Sequence, residues 1–352
     1  MGSGAMLILT LVLSGQVQEL GRCPVDSVIR IEAGSFISPD SFQVLVVEQA
    51  GVLNLCRSGN STDLSGPVPV FRLALLRMNG PGFQVCWRSG LLLGSQAVAY
   101  NLLPEAWASG DFDGDSLAEI VIFSGGYLQV LNFDQRVVRV ESVPAAGGMI
   151  LDACGADLDG NGIQELVTLE LEVDSAGRHQ LVRIRGLGFS GEERQGLAVV
   201  LPDSEPGMKF FLLGSARLED YPGSPVLIVG EYPALKPSRY YLLYQAKADS
   251  FVLTNTPFPW QEWFVRTEVL AAGRLNLFNI GDTLVAWGYF VPGVGSSSGL
   301  SFAALQDGEW RVLKPRPEGT KISGSWCRFN TAWLNLRQGR FYLYPEPPFF
   351  WR

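Results

Sequence analysis

The 352 residues carry a formal charge of −8 with a pI near 4.9, and the 27 Lys and Arg form no basic cluster, which argues against a partner held by its phosphate backbone and so against nucleic acid. Apolar residues make up 47% and charged residues 18%, with 40 Gly and 21 Pro; this is a composition of many short strands and turns, too apolar for a disordered chain. The length suits one large repeat domain, and no linker, charge block or low-complexity tract divides it.

At the amino end, Ala5-Met-Leu-Ile-Leu-Thr-Leu-Val-Leu-Ser14 is an apolar run of secretory length, with small residues after it and too few residues to span a bilayer. The usual positive residues before it are missing, and Met1-Gly-Ser-Gly-Ala resembles an expression tag. Residues 1–20 are therefore expected to be a signal-peptide remnant or a tag, with a buried first strand as the alternative. Val25-Asp-Ser-Val-Ile-Arg-Ile31 reads as one strand outside any complete repeat.

The first repeat begins at Ala33-Gly-Ser-Phe-Ile and continues through Val44-Leu-Val-Val, Gly51-Val-Leu-Asn-Leu, Val70-Phe-Arg-Leu-Ala-Leu-Leu-Arg and Phe83-Gln-Val-Cys-Trp87. That is one start followed by further strand-like runs, enough for a four-stranded sheet. Comparable starts recur at Gly110, Gly155, Gly214, Gly273 and Gly324. The last has room for two or three strands only, so the strand at residues 25–31 is expected to complete it and join the two chain ends.

The richest start is Asp111-Phe-Asp113-Gly-Asp115-Ser-Leu117-Ala-Glu119-Ile-Val-Ile. Carboxylates at positions 1, 3, 5 and 9, with the Leu117 carbonyl at position 7, are hard oxygen donors in a number that suits calcium. A second copy, Asp157-Leu-Asp159-Gly-Asn161-Gly-Ile163-Gln-Glu165-Leu-Val, repeats the offsets, with the Ile163 carbonyl at position 7. An EF-hand is excluded, because position 12 is Ile122 or Thr168 and the flanks are strand-like. The plain alternative is that Asp, Asn and Gly only make tight turns, which leaves the distal Glu unaccounted for. The first repeat has Ser35, Ile37 and Gln43 at positions 1, 3 and 9 and reads as a copy that has lost its ion.

These two loops resemble the calcium loops of FG-GAP and VCBS repeats, the blades of integrin-α-type β-propellers. The resemblance implies an all-β fold, a single propeller of about six four-stranded blades, or seven if one hides in the long first interval, spanning residues 21–352. It implies Ca2+ as a structural ion and a protein or carbohydrate ligand at the loop faces, with no nucleic acid and no membrane span. Millimolar calcium outside cells matches weak loops of this kind, so export or cell-surface display is expected.

Other chemistry has less behind it. A triad would rest on the single histidine, His179, in a turn-like stretch. With 35 acidic residues, a glycoside hydrolase or lyase is the enzymatic alternative, and a structural module of a surface assembly is a third. Trp260-Gln-Glu-Trp263 beside Phe258 and Phe264 suits either core or stacking on sugar. Gly186-Leu-Gly-Phe-Ser-Gly191 resembles a phosphate loop only superficially, and Ser296-Ser-Ser-Gly reads as a surface loop. Five cysteines without C-x-x-C spacing argue against zinc. Either Cys56 pairs with Cys86 and Cys23 with Cys327, or all are buried thiols.

Overall fold

The computed structural model describes residues 17–39, 41–55, 66–80, 82–93, 107–124, 127–134, 137–144, 149–174, 177–186, 194–201, 209–215, 221–231, 239–247, 250–255, 276–280, 283–290, 299–306, 309–313, 325–329 and 332–345. Among these residues the fold is all-β, with 25 strands and no helix, so none is long and apolar enough to cross a membrane.

The strands form six small antiparallel sheets, in chain order. β1 (Gln18–Arg22) does not pair with the strands next to it in sequence. β2 (Val28–Ser38), β3 (Ser41–Leu55), β4 (Gly66–Asn79) and β5 (Gly82–Arg88) form the first sheet, with β6 (Leu92–Leu93) added on β4. β7 (Trp107–Gly110), β8 (Glu119–Ser124), β9 (Tyr127–Asp134) and β10 (Val137–Pro144) form the second; β11 (Met149–Ala156), β12 (Glu165–Asp174), β13 (Gly177–Gly186) and β14 (Arg194–Val200) the third. The fourth holds β15 (Lys209–Ser215), β16 (Val226–Glu231), β17 (Arg239–Lys247) and β18 (Ser250–Asn255). The fifth holds β19 (Asn276–Ile280), β20 (Thr283–Phe290), β21 (Gly299–Gln306) and β22 (Glu309–Leu313). β23 (Ser325–Phe329), β24 (Ala332–Arg337) and β25 (Arg340–Tyr344) make the last sheet, and β1 completes it by pairing with β25, Gln18 opposite Leu343 and Arg22 opposite Arg340.

Among the described residues, the second strands of the first three sheets are apolar on both faces because each of these sheets is covered on both faces. In β3, Val44 and Val46 face the last sheet while Leu45 and Val47 face the second. In β8, Ile120 and Ile122 face the first sheet and Val121 faces the third. Leu166 of β12 faces the second sheet, and Val167 and Leu169 face the fourth. Among the described residues, buried clusters thus lie between consecutive sheets, from the last and first through to the third and fourth. The first strands run side by side, with β23 against β2, β7 against β11, β11 against β15 and β15 against β19.

Three expectations need correction. The strand that joins the chain ends is Gln18–Arg22, not residues 25–31, whose Val28 and Ile31 belong to β2. The expected domain start at residue 21 therefore falls inside β1. Alternation misled here because Leu20 supplies the only buried side chain of β1, and Gly21 and Glu19 flank it. Second, Val44-Leu-Val-Val and Gly51-Val-Leu-Asn-Leu are one strand, β3, in which Gly51 (φ 152°) sits at a register shift rather than at a turn. Third, the acidic loops do not stand before the first strand of a sheet but join its first strand to its second. The preceding strands were obscured by small residues such as Ala108, Gly110 and Gly155, which are required there. A Cβ on Gly155 would lie 2.9 Å from the Ser109 carbonyl oxygen of the neighbouring sheet.

β1 contributes Leu20, 1% exposed, to the cluster between the last and first sheets, and Arg340 pairs with Glu19 across the same edge. Removing residues 1–22 should expose the β25 edge and open that cluster, giving aggregation or a lower, less cooperative melting transition by calorimetry and light scattering. A truncated chain that melts like the full one contradicts this role.

Candidate metal centre

The turn chemistry of the two loops is the same bond for bond. The position-1 carboxylate receives two backbone N–H groups, Gly114 (2.8 Å) and Ser116 (3.0 Å) on Asp111, and Gly160 (2.8 Å) and Gly162 (3.1 Å) on Asp157. Position 3 accepts from position 5, with Asp115 N–H on Asp113 and Asn161 N–H on Asp159, both 3.0 Å. Position 5 accepts from position 7, with Leu117 N–H on Asp115 and Ile163 N–H on Asn161, both 2.7 Å. These nested turns need left-handed backbone at positions 4 and 6. Gly114 (81°), Gly160 (79°) and Gly162 (90°) take it freely, whereas Ser116 (69°) takes it with a side chain.

The result is convergence. Carboxylate oxygens of Asp111, Asp113 and Asp115 lie within 4.8 Å of one another, and so do those of Asp157, Asp159 and Glu165. A carboxylate has about four acceptor positions, so one or two backbone donors orient each group without exhausting it. The grouping at the first loop does not include Glu119, and the grouping at the second does include its counterpart Glu165.

Position 9 performs a second task that the sequence did not reveal. Glu119 Oε2 accepts the N–H of Phe112 at 2.7 Å, and Glu165 Oε2 accepts that of Leu158 at 2.8 Å. Phe112 and Leu158 are buried at position 2, so this bond ties the loop to the core. The distal Glu is thus accounted for in part by the turn itself. In the first sheet Gln43 does the same with a neutral amide, its Oε1 accepting from Phe36 (2.7 Å) and Ile37 (3.0 Å). The cap therefore needs an oxygen but not a charge. A charged residue stands at position 9 in the two loops where other carboxylates converge, and a neutral one stands where positions 1 and 3 are Ser35 and Ile37.

That charge is costly without a cation. Burial, then the Coulombic fields of Asp113, Asp115 and Asp111, push Glu119 up to about 8 against the backbone bond from Phe112 that favours the anion. Burial and the fields of Asp159 and Asp157 push Glu165 up to about 7. Burial also raises Asp111 and Asp113 above the usual carboxylate range. Beside Glu119, Asn132 reaches Oε1 with a long 3.5 Å contact, while its own buried Oδ1 has no hydrogen-bond partner. Hard oxygen donors, several negative charges and an orphaned carbonyl oxygen fit a calcium-sized cation.

The loops also hold one another. A backbone N–H from the loop of the second, third and fourth sheets donates to the position-1 carbonyl of the sheet before it: Ala118 to Ser35 (2.7 Å), Gln164 to Asp111 (2.8 Å) and Ser224 to Asp157 (2.5 Å). No motif announces these bonds, since they use the backbone.

The remaining candidates fall away from these loops or outside the described residues. His179 lies in strand β13 opposite Glu172 rather than in a turn. The Trp260–Trp263 cluster, Phe258, Phe264, Ser296 to Ser298, and residues 187–191 of the glycine-rich stretch lie outside the described residues, as do Gly273, Gly324 and Cys56. Cys23, Cys86, Cys154 and Cys327 carry thiols rather than disulfides. Cys23 and Cys327 share the cluster between the last and first sheets, where burial raises both thiols, Cys23 to about 11; they act as small apolar side chains.

No protein-family model matches the chain, and no curated protein matches it. Two solved structures have a distant likeness. One is named "Glycoside hydrolase" (TM-score 0.40, 10% identity, 89% of this chain and 99% of that one). The other is named as a BT0996 RGII complex (TM-score 0.41, 10% identity, with the same coverage of 89% and 99%). Likeness at that level carries no argument about activity.

The raised carboxyl groups set a pH dependence for the metal-free protein. A folded-state value above the unfolded one means that the bound proton stabilises the fold. This contribution is fully present below about pH 4.5 and is lost as pH rises through about 7 for Glu165 and about 8 for Glu119. In chelator the melting temperature should therefore fall across that interval. Glu119→Gln, which keeps the acceptor as Gln43 does, should flatten the decline above pH 7. A melting temperature that rises over the interval, or a variant with an unchanged slope, contradicts the assignment.

Proposed function

We propose that this chain is a non-enzymatic, calcium-binding β-propeller of about six four-stranded blades, resembling FG-GAP and VCBS repeat proteins, that recognises a protein or carbohydrate ligand at its loop faces outside the cytoplasm. The propeller reading is supported by six consecutive sheets, clusters between neighbours and the β1–β25 pairing of the chain ends. The calcium reading rests on one observation above the others: Gln43, Glu119 and Glu165 make the same cap, and the charged versions coincide with converging carboxylates.

The residues that would hold the ions are Asp111, Asp113, Asp115, Glu119 and the Leu117 carbonyl in one loop, and Asp157, Asp159, Asn161, Glu165 and the Ile163 carbonyl in the other. Bound calcium supplies positive charge that neutralises these carboxylates and fixes the turn. The chain's own part is to orient the oxygens through the N–H groups of positions 4 to 7 and to anchor each loop through Phe112 or Leu158. A holding role is further supported by the contact of each loop with the next, Ile163 with Gly114 and Pro222 with Gly160.

Because such an ion binds the folded chain only, each calcium at a hundredfold excess over its Kd should add about 2.7 kcal/mol of stability. Calorimetric scans should therefore show a higher melting temperature in calcium and a lower one in chelator. An identical transition in both contradicts the calcium reading. A panel of acidic and neutral polysaccharides at saturating calcium should show no turnover. Turnover that disappears in Glu119→Gln or Glu165→Gln protein that still folds would replace the binding role with an enzymatic one.

A further inference from the structure

The second loop reaches across to the first through one side chain that belongs to neither proposed ligand set. Gln164, position 8 of the second loop, holds the Asp111 peptide from both sides. Its side-chain Oε1 accepts the Asp111 N–H at 2.9 Å, and its own N–H donates to the Asp111 carbonyl at 2.8 Å. Nearby, the Ile163 side chain covers Gly114, where an added Cβ would stand 2.8 Å from Ile163 Cδ1. The first loop is thus positioned by its neighbour at position 1, the group that gathers two N–H bonds, and at position 4, the left-handed turn. The corresponding residue of the second sheet, Ala118, has no side chain that could do this to Ser35 and makes the backbone bond alone. In the fourth sheet the described hydrogen bond to Asp157 is the backbone bond from Ser224.

We propose that Gln164 is a positioning residue for the first cation site, so that the two loops are energetically coupled and the order of the second sets the affinity of the first. The inference rests on the calcium reading of the loops. Its direction follows from geometry: Gln164 is in the chain of the second loop but its amide oxygen is spent on the first. Coupling between sites is reciprocal, so calcium at the first loop also strengthens binding at the second when Gln164 is intact.

The test isolates each site in turn. Asp159→Ala leaves the first loop and Asp113→Ala leaves the second, and calcium chloride is titrated into each by calorimetry with and without Gln164→Met, which keeps the length and removes the acceptor. The first-loop protein should lose about three- to tenfold in affinity on Gln164→Met, the worth of one hydrogen bond, while the second-loop protein changes by less than about twofold. Gln164→Glu, which restores the acceptor, should recover the first-loop affinity. Equal losses at both loops would mean general destabilisation and overturn the positioning role; no loss at the first loop would overturn it as well. Wild-type protein that takes up no calcium would instead overturn the calcium reading. The positioning role is then tested in calcium-free buffer by hydrogen exchange of the Asp111 amide, which should quicken at least threefold in Gln164→Met; unchanged exchange would overturn it.

Discussion

A buried side-chain oxygen at the root of a strand holds each of the first three loops to the core. Gln43, Glu119 and Glu165 accept the N–H of Phe36, Phe112 and Leu158, all of which are almost fully buried. A peptide N–H beside a buried ring would otherwise lose its water without replacement, at about 1–3 kcal/mol. An amide meets that need at no electrostatic cost. A carboxylate meets it while carrying a charge into the interior, opposed by desolvation and by three acidic neighbours in the first loop. The charged residue stands where the loop's other carboxylates converge.

The sheets depend on this anchoring because they are held to one another by repeated, modest contacts. The same backbone bond links Ser35 to Ala118, Asp111 to Gln164 and Asp157 to Ser224. The first strands approach so closely that Gly155 cannot carry a side chain without meeting Ser109. Both faces of β8 are covered, so Ile120, Val121 and Ile122 alternate between two clusters. Among the described residues, the first three sheets each pack against a neighbour on either side. If the acidic loops hold ions as proposed, fixing one loop would act on the position of the next sheet.

Much of this was legible in the residues. The β-branched runs at Ile120 and Leu166 marked strands, and the repeated Asp-x-Asp-Gly spacing located both loops and the groups that converge in them. The glycine-led starts at Gly34, Gly110, Gly155 and Gly214 identified successive sheets, and at Gly155 the close approach of the Ser109 carbonyl explains the glycine. The reading failed where the structural signal lies in the backbone. Gln18–Arg22 has too little apolar alternation to show as a closing strand. Gly51 looked like a turn and is a register shift inside β3. The capping role of Gln43 and the reach of Gln164 to Asp111 depend on which sheets become neighbours, and spacing in one dimension does not encode that. His179 was placed in a turn-like stretch and instead stands in β13, paired opposite Glu172.

The claim on which the account turns is that the charge of the position-9 carboxylates serves a cation while their oxygen serves the fold. It is tested most directly by calcium titration calorimetry of the wild type, Glu119→Gln and Glu165→Gln, with each melting temperature recorded in chelator. The account predicts two ions for the wild type and one for each variant, with the variants at least as stable as the wild type when calcium is withheld at neutral pH. Variants that bind as many ions as the wild type, or that melt well below it in chelator, would show that the charge serves the fold and not a cation.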